Sequence, residues 1–179
     1  MNPYPKLYLD SDGVLLDFEK LGRSILGMDT KLFEKTYGSK RFWNELRDYR
    51  QNGKGFFECL ELMSDAMVLF NAVKHTKPPI LTGAPHGTWA PEQKLRRAAV
   101  LFPNSKVIVC LSRDKIKHIE KPGDFLVDDT LTHRHLWEDG GGVFIHHTDA
   151  KSSIAALQEQ CPIFFQHTDR WTPPAEYRV

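Results

Sequence analysis

The chain has 179 residues, 41% hydrophobic and 26% charged, the balance of a soluble globular protein with one sizeable core or a core plus a small insert. With 24 Lys and Arg against 23 Asp and Glu, the formal net charge is +1, so no global field steers it towards nucleic acid or a membrane surface. No apolar run approaches the roughly 20 residues of a membrane span. The first residues, Met1 to Lys6, lack the apolar core of a signal peptide. Cys59, Cys110 and Cys161 are odd in number and without metal-type spacing, so a reduced, cytoplasmic compartment is expected.

Five short segments read as buried strands: Leu7 to Asp10, Pro79 to Thr82, Lys106 to Leu111, Phe125 to Asp128, and Val143 to His146. Each is nearly continuous in apolar residues, as a parallel sheet covered on both faces requires. Several end on a polar residue: Asp10, Thr82, Ser112, Asp128. Ligands of open parallel sheets bind beyond the carboxyl ends of the strands, so one shared site is expected there. Helices are expected over Pro91 to Phe102 and over Ala150 to Gln160 behind an Asp149 cap, with a short turn at Lys115 to Glu120.

Residues 16–76, between the first two strands, are too many for a simple crossover and carry helical spacing. Phe18, Leu21, Ile25, Met28 and Leu32 form one set. Phe42, Trp43, Leu46 and Tyr49 follow a candidate cap, Ser39, and Phe56, Leu60, Met63, Met67, Phe70 and Val73 form a third. The expected organisation is an α/β core of residues 1–15 and 77–179, a doubly wound Rossmann-like parallel sheet, with a small helical cap, 16–76, inserted after the first strand. The tail from Cys161 to Val179, with Pro162, Pro173 and Pro174, carries little pattern.

The first strand delivers Asp10 and Asp12, two residues apart and therefore on one side where the strand ends. Two carboxylates about 5 Å apart repel by roughly 3 kcal/mol at an effective dielectric near 20, so a cation or a proton is needed between them. Three further signals follow in order: Ile80-Leu81-Thr82-Gly83; Ser112-Arg113-Asp114-Lys115; and Gly123-Asp124-Phe125-Leu126-Val127-Asp128-Asp129.

The ordered set resembles the four motifs of the haloacid-dehalogenase-like (HAD) superfamily of phosphotransferases. Gly55-Phe56-Phe57-Glu58, the stretch Trp89 to Lys94, the Ser-Arg-Asp-Lys string and the Gly-Asp-x-x-x-Asp-Asp ending are similar to those of the 5′(3′)-deoxyribonucleotidases. That resemblance implies a five-stranded parallel order with the first strand central. It implies Asp10 as nucleophile and Asp12 as general acid and base, with Thr82, Gly83 and Lys115 holding phosphate, Lys115 also pairing with Asp10. Mg²⁺ is expected on Asp10, Asp128 and the backbone carbonyl of Asp12, with Asp129 completing the shell directly or through water or Lys115; all-oxygen ligation suits that ion. Lys94 and Lys117 compete with Lys115 for the catalytic role but read as solvated, as does Arg96-Arg97.

Phe56, Phe57 and Trp43, with Phe42, offer an aromatic pocket for a nucleobase, although insert core is the commoner role of such residues. The cluster His133, His135, His146 and His147 falls short of a zinc pattern. Gly140-Gly141-Gly142 reads as a turn. The expected activity is Mg²⁺-dependent hydrolysis of a small phosphate ester such as a nucleoside monophosphate, by a monomer or homodimer, away from membranes and nucleic acid. A polynucleotide 3′-phosphatase and a non-catalytic module on the same fold are the rivals. Two departures bear on the substrate: Thr130 stands where many such nucleotidases carry arginine, and Thr82 to Gly87 does not match their usual loop.

Overall fold

The computed structural model describes residues 4–165; the tail beyond Phe165, read above with the core, lies outside the described residues. In chain order the elements are β1 (Leu7–Leu9), α1 (Phe18–Leu26), α2 (Thr30–Tyr37), α3 (Ser39–Asp48), β2 (Arg50–Gln51), β3 (Lys54–Gly55), α4 (Ala66–Val73), β4 (Ile80–Gly83), α5 (Trp89–Leu101), β5 (Val107–Cys110), β6 (Phe125–Asp128), α6 (Arg134–Asp139), β7 (Val143–His146) and α7 (Ala150–Gln160), joined in places by short 3-10 turns. No helix among the described residues is long and apolar enough to cross a membrane.

The five expected strands form one parallel sheet in the order β5-β4-β1-β6-β7, with β1 central. The continuous apolar runs of β1, β4 and β6 are explained by burial on both faces, while β5, at the sheet edge, is half-buried. Leu7, Leu9, Ile80, Phe125, Val127 and Ile145 pack with Leu69 and Val73 of α4 and Ile154 and Leu157 of α7. Tyr8, Leu81, Leu126 and Phe144 face the other way, onto Trp137 of α6. Each such side chain contributes about 1.5–3 kcal/mol by leaving water. The polar ends of Tyr8 and Trp137 are satisfied: the Tyr8 hydroxyl donates to the His118 carbonyl at 2.6 Å, and Trp137 Nε1 to the Asp124 and Val143 carbonyls. The Asp149 cap before α7 is present, its carboxylate accepting from Ser152 N at 2.8 Å.

The insert leaves and rejoins the core through paired backbone. Leu16 bridges Leu62 antiparallel, Asp17 N donates to Glu61 O, and Met63 N to Leu15 O. Its interior is aromatic: the Phe18 ring meets those of Phe42, Trp43, Phe56 and Phe57 at centroid distances of 5.1 to 6.4 Å.

Local chemistry divides the helical sets differently from the apolar spacing alone. The run from Phe18 to Leu32 is two helices, because Gly27 closes α1 in the left-handed region (φ 73°) and Asp29 caps α2. Ser39 is the first residue of α3 rather than its cap; Gly38 stands at the cap position. Asn52-Gly53, both at positive φ, turn β2 into β3, a hairpin that this dipeptide favours. The third apolar set is split into a 3-10 turn at Phe56–Cys59 and α4, and α4 packs against α7 in the layer over the sheet.

Candidate active site

Everything at the site hangs from the end of β1. The register that sets Leu9 beside Val127 carries Asp10 alongside Asp128, and Asp10 N donates to Val127 O at 2.8 Å. The chain then turns tightly, Leu15 N and Leu16 N both donating to Ser11 O at 2.8 Å. Gly13 is required there on two counts: its φ is +77°, and a Cβ at this position would run into the Asp129 carboxylate. One carboxylate oxygen each from Asp10, Asp128 and Asp129 lies within 4.8 Å of the other two. Of the four aspartates read as metal ligands, these three converge by side chain. The Asp12 carboxylate is engaged elsewhere, by Lys94.

Two buried ammonium groups divide the acidic set. Lys115, on the 3-10 turn Ser112–His118 that follows β5, donates to Asp128 Oδ2 at 2.6 Å and pairs with Asp10 Oδ1 at 3.0 Å. Burial works against its charge, but Asp10 and Asp128 outweigh that and raise its pKa, so it stays an ammonium. Asp128 is further tied by Thr130 N, which donates to its Oδ1 at 2.8 Å.

Lys94, on α5, is not solvated as its charge suggested: it is 3% exposed, and Nζ donates to Asp12 Oδ2 at 2.5 Å and to Thr82 Oγ1 at 2.9 Å. The face of Phe57 closes the third side at 4.5 Å. The sequence does carry a signal for this, because Ala90, Lys94 and Ala98 recur every four residues and share the buried face of α5. Hydrophobicity misdirects, since Leu95 and Val100 on the same helix are 47% and 72% exposed.

The site remains short of positive charge. Asp10, Asp12, Asp128 and Asp129 make four carboxyl groups against two lysines, so the negative charge they can carry exceeds the positive charge beside it and a cation relieves the difference. Burial, then the charges of Asp10 and Asp128, push the Asp129 carboxyl up to about 6. Burial also holds Asp12 and Asp128 above the usual carboxylate range, against the opposing pull of Lys94 and Lys115 respectively. Among the described residues, Asp10 Oδ1 and Asp12 Oδ1 are buried oxygens that accept no hydrogen bond. Asp10 Oδ1 has the Lys115 ammonium near it but off hydrogen-bonding geometry. Orphaned carboxylate oxygens, an all-oxygen donor set and that charge deficit fit Mg²⁺.

Above the aspartates opens a cavity of about 830 Å³. Its sheet-side rim is Gly83, Ala84, Pro85 and His86 after β4, and Ser112 and Arg113 after β5. The two loops touch: a Cβ on Gly83 would strike the Ser112 hydroxyl. Thr82 itself is 1% exposed, beneath this rim. Phe18, Phe42 and Trp43 form the insert's aromatic wall, beside Lys31 and Glu34 of α2. Phe56 and Phe57, the other candidates for that wall, do not reach it. Instead they are 0% and 1% exposed, because the 3-10 turn drives them into the cluster around Phe18 and beneath Lys94, so they are core residues. His133 lines the cavity, His146 Nε2 contacts the Asp129 carbonyl at 3.2 Å, and His147 is buried against Ser153.

A five-stranded parallel sheet with this order, helices on both faces and a helical insert after β1 is the HAD-like, Rossmann-type α/β fold. A scan against protein-family models finds no match, and a search of curated proteins finds none. Among solved structures, the chain is similar to a HAD-superfamily hydrolase from Ehrlichia chaffeensis, with a TM-score of 0.53 and 11% identity over 87% of this chain and 96% of that one. It is also similar to a family IA, variant 3 HAD hydrolase from Entamoeba histolytica HM-1:IMSS, with a TM-score of 0.48 and 14% identity over 87% of this chain and 89% of that one. At 11% identity the likeness to the Ehrlichia protein is one of fold.

Proposed function

We propose that this protein is a Mg²⁺-dependent phosphomonoester hydrolase that works through an aspartyl-phosphate on Asp10. The observation that carries the reading is the convergence, at one sheet edge, of Asp10, Asp128 and Asp129 with a buried lysine on Asp10 and a separate buried lysine on Asp12. The likeness in fold to HAD hydrolases is consistent with it.

An anionic phosphate ester repels anionic nucleophiles, so the site has to place positive charge around both. Lys115 faces the oxygen of Asp10 and supplies one such charge. Mg²⁺, held by Asp10, Asp128, Asp129 and the Asp12 carbonyl, would polarise the phosphoryl oxygens as a Lewis acid. The backbone after Thr82 holds phosphate oxygens at the cavity rim, with the Thr82 hydroxyl reaching them from beneath it. Asp10 attacks phosphorus; the bond from phosphorus to the ester oxygen breaks, and Asp12 gives its proton to the departing alkoxide. Asp12, now ionised, takes a proton from water as that water attacks phosphorus and releases Asp10. Asp12 must be protonated before the first step, and its burial favours that form. An acid at this position suits an ester leaving group.

The substrate class is a small soluble phosphate ester. A cavity of about 830 Å³ under a helical insert accommodates one, and the aromatic wall of Phe18, Phe42 and Trp43 suits a planar group such as the base of a nucleoside monophosphate. The test is phosphate release from 5′- and 3′-nucleoside monophosphates, deoxy and ribo, and sugar phosphates, with Mg²⁺ and with chelator. Metal-dependent turnover of one class names the substrate. Silence across the panel from protein that binds Mg²⁺ would favour a polymer substrate or a binding role.

A further inference from the structure

We infer that Lys94 is a positioning residue that fixes, at once, which oxygen of Asp12 meets the leaving group and which way the Thr82 hydroxyl points. The inference rests on the hydrolase reading above and adds to it a residue that acts only through two others. An ammonium has three protons and no acceptor. Here two are given to Asp12 Oδ2 and Thr82 Oγ1, and the third side of the group lies over the Phe57 ring.

For Asp12 the consequence is an assignment of its two oxygens. Oδ2 is taken by the lysine, while Oδ1 is buried without a hydrogen-bond partner. The free oxygen is therefore the one that carries and returns the proton. For Thr82, a donor already occupies the hydroxyl oxygen, so its own proton must point away from Lys94. Within the protein its acceptor is the Gly83 carbonyl at a long 3.5 Å, which leaves it ready to donate to a phosphate oxygen.

The support for Lys94 is itself built. Neighbouring Gln93 is buried and accepts from Phe57 N at 3.0 Å, holding the 3-10 turn that carries the ring. A Cβ on Gly55 would collide with the Gln93 amide, so that glycine lets the arrangement close. A lysine enclosed in this way has little freedom left, as positioning to within a fraction of an ångström demands.

The experiment compares Lys94→Met and Lys94→Arg with wild type on two esters, an aryl phosphate whose leaving group departs without a proton and an alkyl phosphate whose leaving group needs one. The readout is kcat/KM, which reports the steps up to loss of the leaving group. Because both esters are measured on one preparation, their ratio is independent of the fraction folded. Lys94→Met should lose about 100-fold or more on the alkyl ester and under about tenfold on the aryl ester. Its kcat should fall on both, since Asp12 serves in the second step for either, and Lys94→Arg should recover part of the alkyl activity. Equal loss of kcat/KM on the two esters, or none on either, would overturn the positioning role while leaving the hydrolase standing. A wild type that turns over neither ester with Mg²⁺ would overturn the hydrolase reading, and this inference with it.

Discussion

The two sides of the cavity are built on different terms. On the sheet side each functional group has its position dictated by strand register and by a partner: Asp10 by Val127 and Lys115, Asp128 by Lys115 and Thr130, Asp12 and Thr82 by Lys94. On the insert side the lining residues Phe18, Phe42 and Trp43 are held by ring packing inside the insert, and the ion pairs of its helices, such as Arg23 with Glu19 and Asp29, and Arg41 with Glu45, lie at the surface. Such exposed pairs contribute roughly 0–1 kcal/mol each. The proposed chemistry sits at the carboxyl ends of the sheet strands and on the helix and turn packed beside them. The insert supplies a wall that can differ in shape without disturbing it. Substitutions on the two sides should therefore separate cleanly, those by the sheet acting on rate and metal, those on the wall acting on which ester is accepted.

The largest effect should come from the proposed nucleophile. Asp10→Asn should lose at least about a thousandfold in kcat while keeping its fold, measured by phosphate release alongside thermal melting. Next, Asp128→Asn should abolish most of the stabilisation that Mg²⁺ confers on wild type, about 2.7 kcal/mol when the ion is at 100 times its Kd. An equal Tm rise in wild type and variant would break the link between this cluster and the ion.

The buried aromatics sharpen the contrast. Phe56→Ala should cost about 3–5 kcal/mol of stability, as deletion of a core ring does, with substrate preference unchanged in the protein that remains folded. Trp43→Ala, on the cavity wall and only half-buried, should cost less stability than Phe56→Ala and raise KM for a nucleotide substrate about tenfold, with a smaller effect on sugar phosphates.

The smallest predicted effect is one of pH. Asp129 has its pKa raised from 3.8 to about 6, so the folded protein holds this proton more tightly than the unfolded chain. Its stabilising contribution is present at low pH and is lost as pH rises from about 4 to about 6. In chelator, the Tm of wild type should decline across that window relative to Asp129→Asn. The Tm gain on adding Mg²⁺ should grow across the same window, because the ion competes with the proton for Asp129.

The same contrast explains what could be seen in the sequence. A parallel strand in such a sheet leaves a continuous apolar run, so all five strands, the half-buried edge strand β5 included, and Asp10, Thr82 and Asp128 at or beside strand ends, stand out without a structure. The insert hides more. Its apolar spacing gives helices but not their breaks, which depend on Gly27 in the left-handed region and on the cap at Asp29. It cannot say which rings face inward, so Phe56 and Phe57 look as available as Trp43. Lys94 is obscured for another reason. A charged residue on a helix defaults to solvent, and only the contact between α5 and the end of β1 reveals that its partner is Asp12, 82 positions earlier in the chain.

The most direct test of the central claim is to look for phosphate on Asp10. Wild type mixed with labelled substrate and Mg²⁺, quenched in acid within one turnover, should carry acid-stable, hydroxylamine-labile label on the peptide containing Asp10, and Asp10→Asn should carry none. Turnover of that substrate with no label on the protein at any time, or label that persists in Asp10→Asn, would contradict the account.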